Sequence, residues 1–138
     1  IGEKYVEYLE EVKGLKGRRK NVVAGMLAID SYEKKLERKL RKGLQRIPGV
    51  TIYGPEEGQP KTPTVVFTME GKKPAEITAV LGSKGINSWD GDFYAVEAIQ
   101  ALGLEEKGGL VRLGIAPYCT ESDIDRTLNT VNEIAADL

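Results

Sequence analysis

The chain has 138 residues, 41% of them apolar and 30% charged, with a formal net charge of −1. That composition excludes the low-hydrophobicity, high-charge signature of disorder, and the near-zero balance argues against a dedicated nucleic-acid or membrane-surface protein. No run of about 18 apolar residues and no charged-then-apolar leader is present, so neither a membrane span nor a signal peptide is expected, and the length suits one domain with one core.

Cys119 is the only cysteine and histidine is absent. An intramolecular disulfide is therefore impossible, and a reducing cytoplasm is the natural reading. The missing histidines remove imidazole metal sites, Ser-His and Cys-His nucleophile pairs and imidazole acid-base chemistry. Chemistry in this chain must rest on carboxylates, Lys, Arg, Tyr or a borrowed cofactor. The sequence opens at Ile1 without a methionine, inside what reads as a helix, which points to a fragment of something longer.

In chain order, Tyr5, Leu9 and Val12 recur at helical spacing as far as Gly14 to Gly17. From about Asn21 a stripe of Val22, Met26, Ile29, Tyr32, Leu36, Leu40, Leu44 and Ile47 predicts one long amphipathic helix, ended by Pro48-Gly49. Its opposite face carries Lys34, Lys35, Arg38, Lys39, Arg41, Lys42 and Arg46 and reads as solvated, with Glu37 and Arg41 spaced as a favourable helical pair. The period then changes. Val50–Tyr53 and Thr64–Thr68 are strand signals separated by a Gly- and Pro-containing loop. Pro74 opens a helix through Ile77, Val80 and Leu81, and Gly82 to Gly85 closes it.

Ile86–Trp89 predicts a third short strand, Tyr94–Leu102 a helix and Leu110–Ile115 a final strand. Thr120 and Asp123 form a capping-box-like start to the last helix, which is expected to bury Ile124, Leu128, Val131, Ile134 and Leu138. The fold expected is α+β: a small mixed or antiparallel sheet covered on one face by helices and preceded by a long helix. Thr64–Thr68 and Leu110–Ile115 are the expected central strands.

Four features could carry chemistry. Arg112 lies in an apolar strand, where an unpaired guanidinium is costly to bury. Its fork suits a carboxylate, supplied either by a structural Asp or Glu or by a ligand. The turn Ser88-Trp89-Asp90-Gly91-Asp92-Phe93-Tyr94 gathers two carboxylates, a glycine and three aromatics between a strand and a helix, as a structural loop or as a mobile cleft edge. Cys119 precedes a helix, where a thiol pKa can fall, but no base neighbours it in sequence and an inert thiol is expected. The basic helix is the fourth. No phosphate-cradling glycine loop or metal-ligand spacing is present.

Together these segments resemble the C-terminal part of cysteine desulfurase-like class V aminotransferases, over nearly the whole chain. "YEKKLERKLRKGLQRIPGVTIYGP" is similar to the family's interdomain helix running into the first small-domain strand, and "TPTVVFTM" to the next strand. "LGSKGINSWDGDFYA" looks like the loop region that faces the active site. "GLVRLGIAPYCTESDIDRTLNTVNEI" carries the family's terminal pattern of a strand arginine, a Tyr-x-Thr turn and a helix with an acidic start.

The resemblance implies a fold-type I, homodimeric, cytoplasmic enzyme that holds pyridoxal 5'-phosphate on a lysine of an upstream large domain. Residues 1–47 would be the helical interdomain segment and 48–138 the α+β small domain, together one globular unit. Arg112 falls where family members bind the carboxylate of an amino-acid-like substrate, and Trp89, Asp90, Asp92 and Tyr94 fall on the active-site loop. No catalytic residue and no metal ligand is assigned to this chain. The cofactor-binding residues are not identifiable in it, and it is expected to hold no cofactor and to be inactive alone.

The departures bear on the reaction. The position of the desulfurase nucleophile aligns with Tyr94 or Phe93, after Trp-Asp-Gly-Asp in place of a basic run, and Cys119 stands where the family usually has asparagine. Transamination, lyase or selenium-type chemistry is as open as desulfuration. Two readings of other classes compete: a free-standing α+β binding or regulatory module in which Arg112 grips a small acidic effector, and a structural or dimerisation domain built on the long helix.

Overall fold

A computed structural model of the chain describes residues 1–6 and 9–136. Five helices and four strands follow one another as α1 (Gly2–Tyr5), α2 (Gly17–Leu44), β1 (Val50–Tyr53), β2 (Thr64–Met69), α3 (Pro74–Ser83), β3 (Trp89–Gly91), α4 (Val96–Ala101), β4 (Leu110–Gly114) and α5 (Glu121–Ala136). The expected single helix through Tyr5, Leu9 and Val12 is instead α1 followed by a 3₁₀ turn at Glu10–Val12. Residues 7 and 8 and the expected burial of Leu138 lie outside the described residues.

The sheet is antiparallel throughout, in the order β1-β2-β4-β3, so the two strands expected at the centre are central. Alternation along them divides side chains between two faces. Val50, Ile52, Val65, Phe67, Met69, Val111 and Leu113 turn towards α2, α3 and α5 and make the main core with Leu36, Leu40, Leu44, Ile77, Leu81, Ile124, Val131 and Ile134. The main helical cover is on that face, and the other face carries a smaller one. Ile99 of α4, Leu104 and Leu110 pack there with Tyr53, Val66 and Phe93 as a second, smaller cluster.

The third strand comes three residues later than its apolar run predicts. Ile86 is drawn into the end of α3, where its N–H donates to Leu81 O (2.9 Å) and the N–H of Gly85 to Gly82 O (2.9 Å). That pair of bonds is a Schellman closure, and it brings Ile86 and Leu81 into the same core. The same closure ends α4, with Leu104 N–H donating to Ile99 O (3.0 Å) and Gly103 N–H to Gln100 O (2.9 Å). An apolar residue just past a helix was thus a capping contact, not the start of a strand.

The stripe on α2 divides in two. Leu36, Leu40 and Leu44 are fully buried under the sheet, whereas Val22 and Met26, on the same line, are 53% and 61% exposed. The basic face is largely exposed, as expected, with only Arg41 of its basic residues buried, and it also makes ion pairs to the last helix. Lys35 pairs with Glu121 (2.6 Å) and Lys39 with Asp125 (2.7 Å), tying α2 to the first turn of α5. Glu37 does not serve Arg41: it is buried and paired with Lys61 of the β1–β2 loop. A partner brought by the tertiary fold displaces the one that helical spacing offers.

At the start of α5 the capping box forms as read. Asp123 N–H donates to Thr120 Oγ1 (3.2 Å), and Thr120 N–H donates to Asp123 Oδ2 (2.9 Å). No helix among the described residues is long and apolar enough to cross a membrane.

Candidate functional site

Arg112 occupies the middle of β4, the strand flanked by both β2 and β3. Its register partners are Val66 on one side and Trp89 on the other, so all three side chains rise from the same face of the sheet. That is the face opposite the main core, and Arg112 is exposed there. A buried arginine was the premise of the sequence argument, and the alternating pleat removes it: Val111 and Leu113 are buried and the residue between them is not. Among the described residues no carboxylate pairs with Arg112. Its guanidinium instead lies 5.8 Å from the centroid of the Phe93 ring.

The turn after β3 supplies that ring. Phe93 and Tyr94 both have left-handed backbone, at φ 54° and 62°, which non-glycine residues adopt at a cost. The strain is held by Asp92, whose Oδ1 accepts the Tyr94 N–H (2.9 Å) and whose carbonyl accepts the Ala95 N–H (2.8 Å). Left-handed residues cannot continue a helix, which is why α4 starts at Val96 and not at Tyr94. Behind the turn β3 and β4 approach closely at two glycines. A Cβ on Gly109 would sit 2.2 Å from Gly91 O.

The four loop residues singled out by sequence separate in space. Trp89, 68% exposed, stands beside Arg112. Tyr94 is almost wholly exposed at the tip of the turn. Asp90 shares the register of Val111 on the opposite face, where its Oδ1 accepts the Thr78 hydroxyl of α3 (2.6 Å). Its visible work is to fasten β3 to α3. Asp92 braces the turn and, with Val96, Ile99 and Glu105, lines a cavity of about 420 Å³.

Phe93 was read only as part of the aromatic turn. Its position two residues after Gly91 and one after an Asx-turn aspartate was the available signal.

The Cys119 thiol is half-buried against the main core, with the Ala116 N–H directed at Sγ (3.4 Å), and the Tyr32 hydroxyl donates to its carbonyl (2.7 Å). Nearby, Lys35 holds the Glu121 carboxyl below its ordinary value, and Lys39 adds to the effect. The Thr120 hydroxyl and N–H do the same for Asp123. The Lys35 ammonium is raised in turn by Glu121. Lys35 and Glu121 belong to the α2–α5 seam and Asp123 to the cap of α5, none of them to the face that carries Arg112. Among the described residues no group of three His, Cys, Asp or Glu side chains is placed to hold a metal ion.

Compared with known proteins, residues 21–127 match the family "Aminotransferase class-V". The chain belongs to that family. As a class V aminotransferase-family chain it is 29% identical over 102 residues to "Probable cysteine desulfurase 2" of Mycobacterium leprae, covering 74% of this chain and 24% of that protein. It is also 29% identical over 112 residues to a "Probable cysteine desulfurase" of Methanothermobacter thermautotrophicus, covering 80% and 28%. Among solved structures, the apo cysteine desulfurase of Thermococcus onnurineus NA1 superposes with a TM-score of 0.78 at 25% identity, over 87% of this chain and 29% of that one. The chain thus spans about a quarter of the length of the curated relatives it matches. The family is one of pyridoxal-phosphate-dependent enzymes.

Proposed function

We propose that this chain is the C-terminal small domain of a pyridoxal-phosphate-dependent transferase or lyase of the cysteine desulfurase-like kind, and that Arg112 binds the carboxylate of its amino-acid substrate. The observation that carries this reading is the Arg112 guanidinium itself. It stands at the centre of the sheet, on the face away from the main core, exposed and with no carboxylate partner among the described residues. A structural salt bridge would have used the fork, whereas a free fork can grip both oxygens of an incoming carboxylate. Holding the substrate at that end fixes the direction of the bonds at its alpha carbon.

On this reading residues 1–47 are the interdomain helical segment and 48–138 the small domain, and Trp89, Asp92 and Tyr94 edge the active site. Asp90 contributes through its tie to α3.

Lys61 is not free to seat the cofactor. A lysine that forms a Schiff base must present a neutral amine. Lys61, well shielded from water, is instead engaged in an ion pair with the buried Glu37 side chain. From the family membership we place the cofactor's lysine in the remainder of a longer, homodimeric, cytoplasmic enzyme, whose large domain is this chain's first partner. The chain alone is then inactive.

The reading is tested by Arg112→Ala in the full-length enzyme. The apparent substrate constant rises by about tenfold or more, the size of a lost charge-assisted hydrogen-bond pair. Unchanged kinetics would remove Arg112 from the role.

A further inference from the structure

We propose that Phe93, together with the Asp92 turn that holds it, is a positioning device for the Arg112 guanidinium and so helps to set how tightly the site takes a carboxylate. The proposal rests on the assignment of Arg112 to the substrate carboxylate. It goes further, to a residue that acts through Arg112.

An exposed arginine is a poor receptor unless something restricts it, because its long side chain loses rotamer freedom when a ligand fixes it. The usual restraint is a carboxylate, but a carboxylate would occupy the same N–H groups that the ligand needs. Phe93 restrains without occupying. Its ring lies 5.8 Å from Arg112 Cζ, so the cation is held by a π-face while the guanidinium edge keeps its donors free. The ring is itself fixed from behind, packed against the cluster of Ile99, Leu104 and Leu110.

The backbone explains why a phenylalanine can stand there. Two successive left-handed residues, Phe93 and Tyr94, occupy conformations that L side chains disfavour. They are held by two hydrogen bonds that both end on Asp92, from Tyr94 N–H to Oδ1 and from Ala95 N–H to the carbonyl. Strain of this kind persists where the surroundings over-determine it. A relaxed entry into α4 would carry the ring away from β4 and end its contact with Arg112.

The test has two arms. In this chain, the side-chain proton resonances of Arg112 are expected at unusually high field because of the Phe93 ring current. Phe93→Leu should return them to ordinary positions and increase fast motion at Nε, and Phe93→Tyr should restore both. Asp92→Ala should loosen the arginine in the same way and Asp92→Asn, which keeps the acceptor oxygen, should not. Arg112 signals that stay unmoved in Phe93→Leu would overturn the proposal, and signals unmoved in Asp92→Ala would overturn the part given to the turn.

In the full-length holoenzyme, with L-cysteine as the probe and cofactor absorbance as the readout, Phe93→Leu should weaken binding by about two- to fivefold, the range of an exposed cation–π contact. Binding of cysteamine, which has no carboxylate, should be unchanged. Equal weakening of both probes would assign Phe93 a merely structural role and overturn the proposal. If Arg112→Ala leaves L-cysteine binding intact while the ring-current results hold, the carboxylate assignment fails and the positioning contact stands.

Discussion

The Glu37 carboxylate of α2 is closed off from solvent by the Lys61 ammonium, which reaches it from the loop between β1 and β2. Glu37 is 5% exposed, so the lysine is its shield as well as its counter-ion. Removing one member of such a pair strands the other, which costs more than the pair itself contributes. Lys61→Met is expected to destabilise the chain by about 2–3 kcal/mol, read as a fall in the denaturant midpoint at constant slope. Replacing both residues, Glu37→Leu with Lys61→Met, should recover most of the loss. A double variant no more stable than the single one would show that the loop, and not the charge, was disturbed.

The seam between α2 and α5 makes stability depend on pH at both ends of the scale. Glu121 and Asp123 have pKa values lowered from 4.5 and 3.8, Glu121 mainly by the Lys35 ammonium and Asp123 by Thr120. Carboxylates of that kind contribute stability that is complete above the ordinary value and is lost as pH falls through the lowered one. Lys35 is raised from 10.5 by Glu121, so its contribution is complete below that value and is lost as pH rises through the raised one. The melting temperature should therefore be flat between about pH 5 and 10 and fall on either side. Because these groups are exposed, high salt should shrink the effect. Glu121→Gln should flatten the alkaline limb and shrink the acid limb to the part that Asp123 supplies, and an unchanged profile in that variant would rule the seam out as the cause.

Gly109 and Gly91 leave no room for a side chain between β4 and β3. A Cβ at Gly109 would fall 2.2 Å from a backbone oxygen that cannot rotate away, and the residue has φ 86°. Gly109→Ala should cost about 2–4 kcal/mol from the left-handed backbone and the overlap together. The loss should appear as early amide exchange in β3 and the following turn, with α2 and α5 still protected.

Pyridoxal phosphate added to this chain and reduced with borohydride should leave scattered, substoichiometric lysine adducts on mass analysis. One lysine labelled to completion would mean that the chain holds its own cofactor seat, against the placement of that lysine elsewhere.

How much of this was legible in the sequence depended on the range of the interaction. The strands β1, β2 and β4 were readable to within a residue, because β-branched and apolar runs between turn residues are local signals. The capping box at Thr120 and Asp123 was readable for the same reason. Ile86 was misread because an apolar residue after a helix looks the same whether it opens a strand or closes a Schellman cap. Glu37 was given to Arg41 because helical spacing is visible in sequence and the arrival of Lys61 from a separate loop is not. At the site, Arg112 was found for its residue type and strand, but its exposure was missed, since which face a central strand turns to the helices depends on register with its neighbours. The split between Asp90 and the other loop residues follows from that same register.

The alternation of β4 has a consequence for how this protein can vary. Val111 and Leu113 are locked among core side chains, while Arg112 between them stands in the open with Trp89 at its side. On the proposed assignment, substitution at Arg112 or Trp89 would change what is recognised with little penalty to folding, and substitution one residue away would do the reverse. Adjacent letters of one strand thus answer to separate requirements, so the exposed position can vary in descendants of this chain without a new fold being found first.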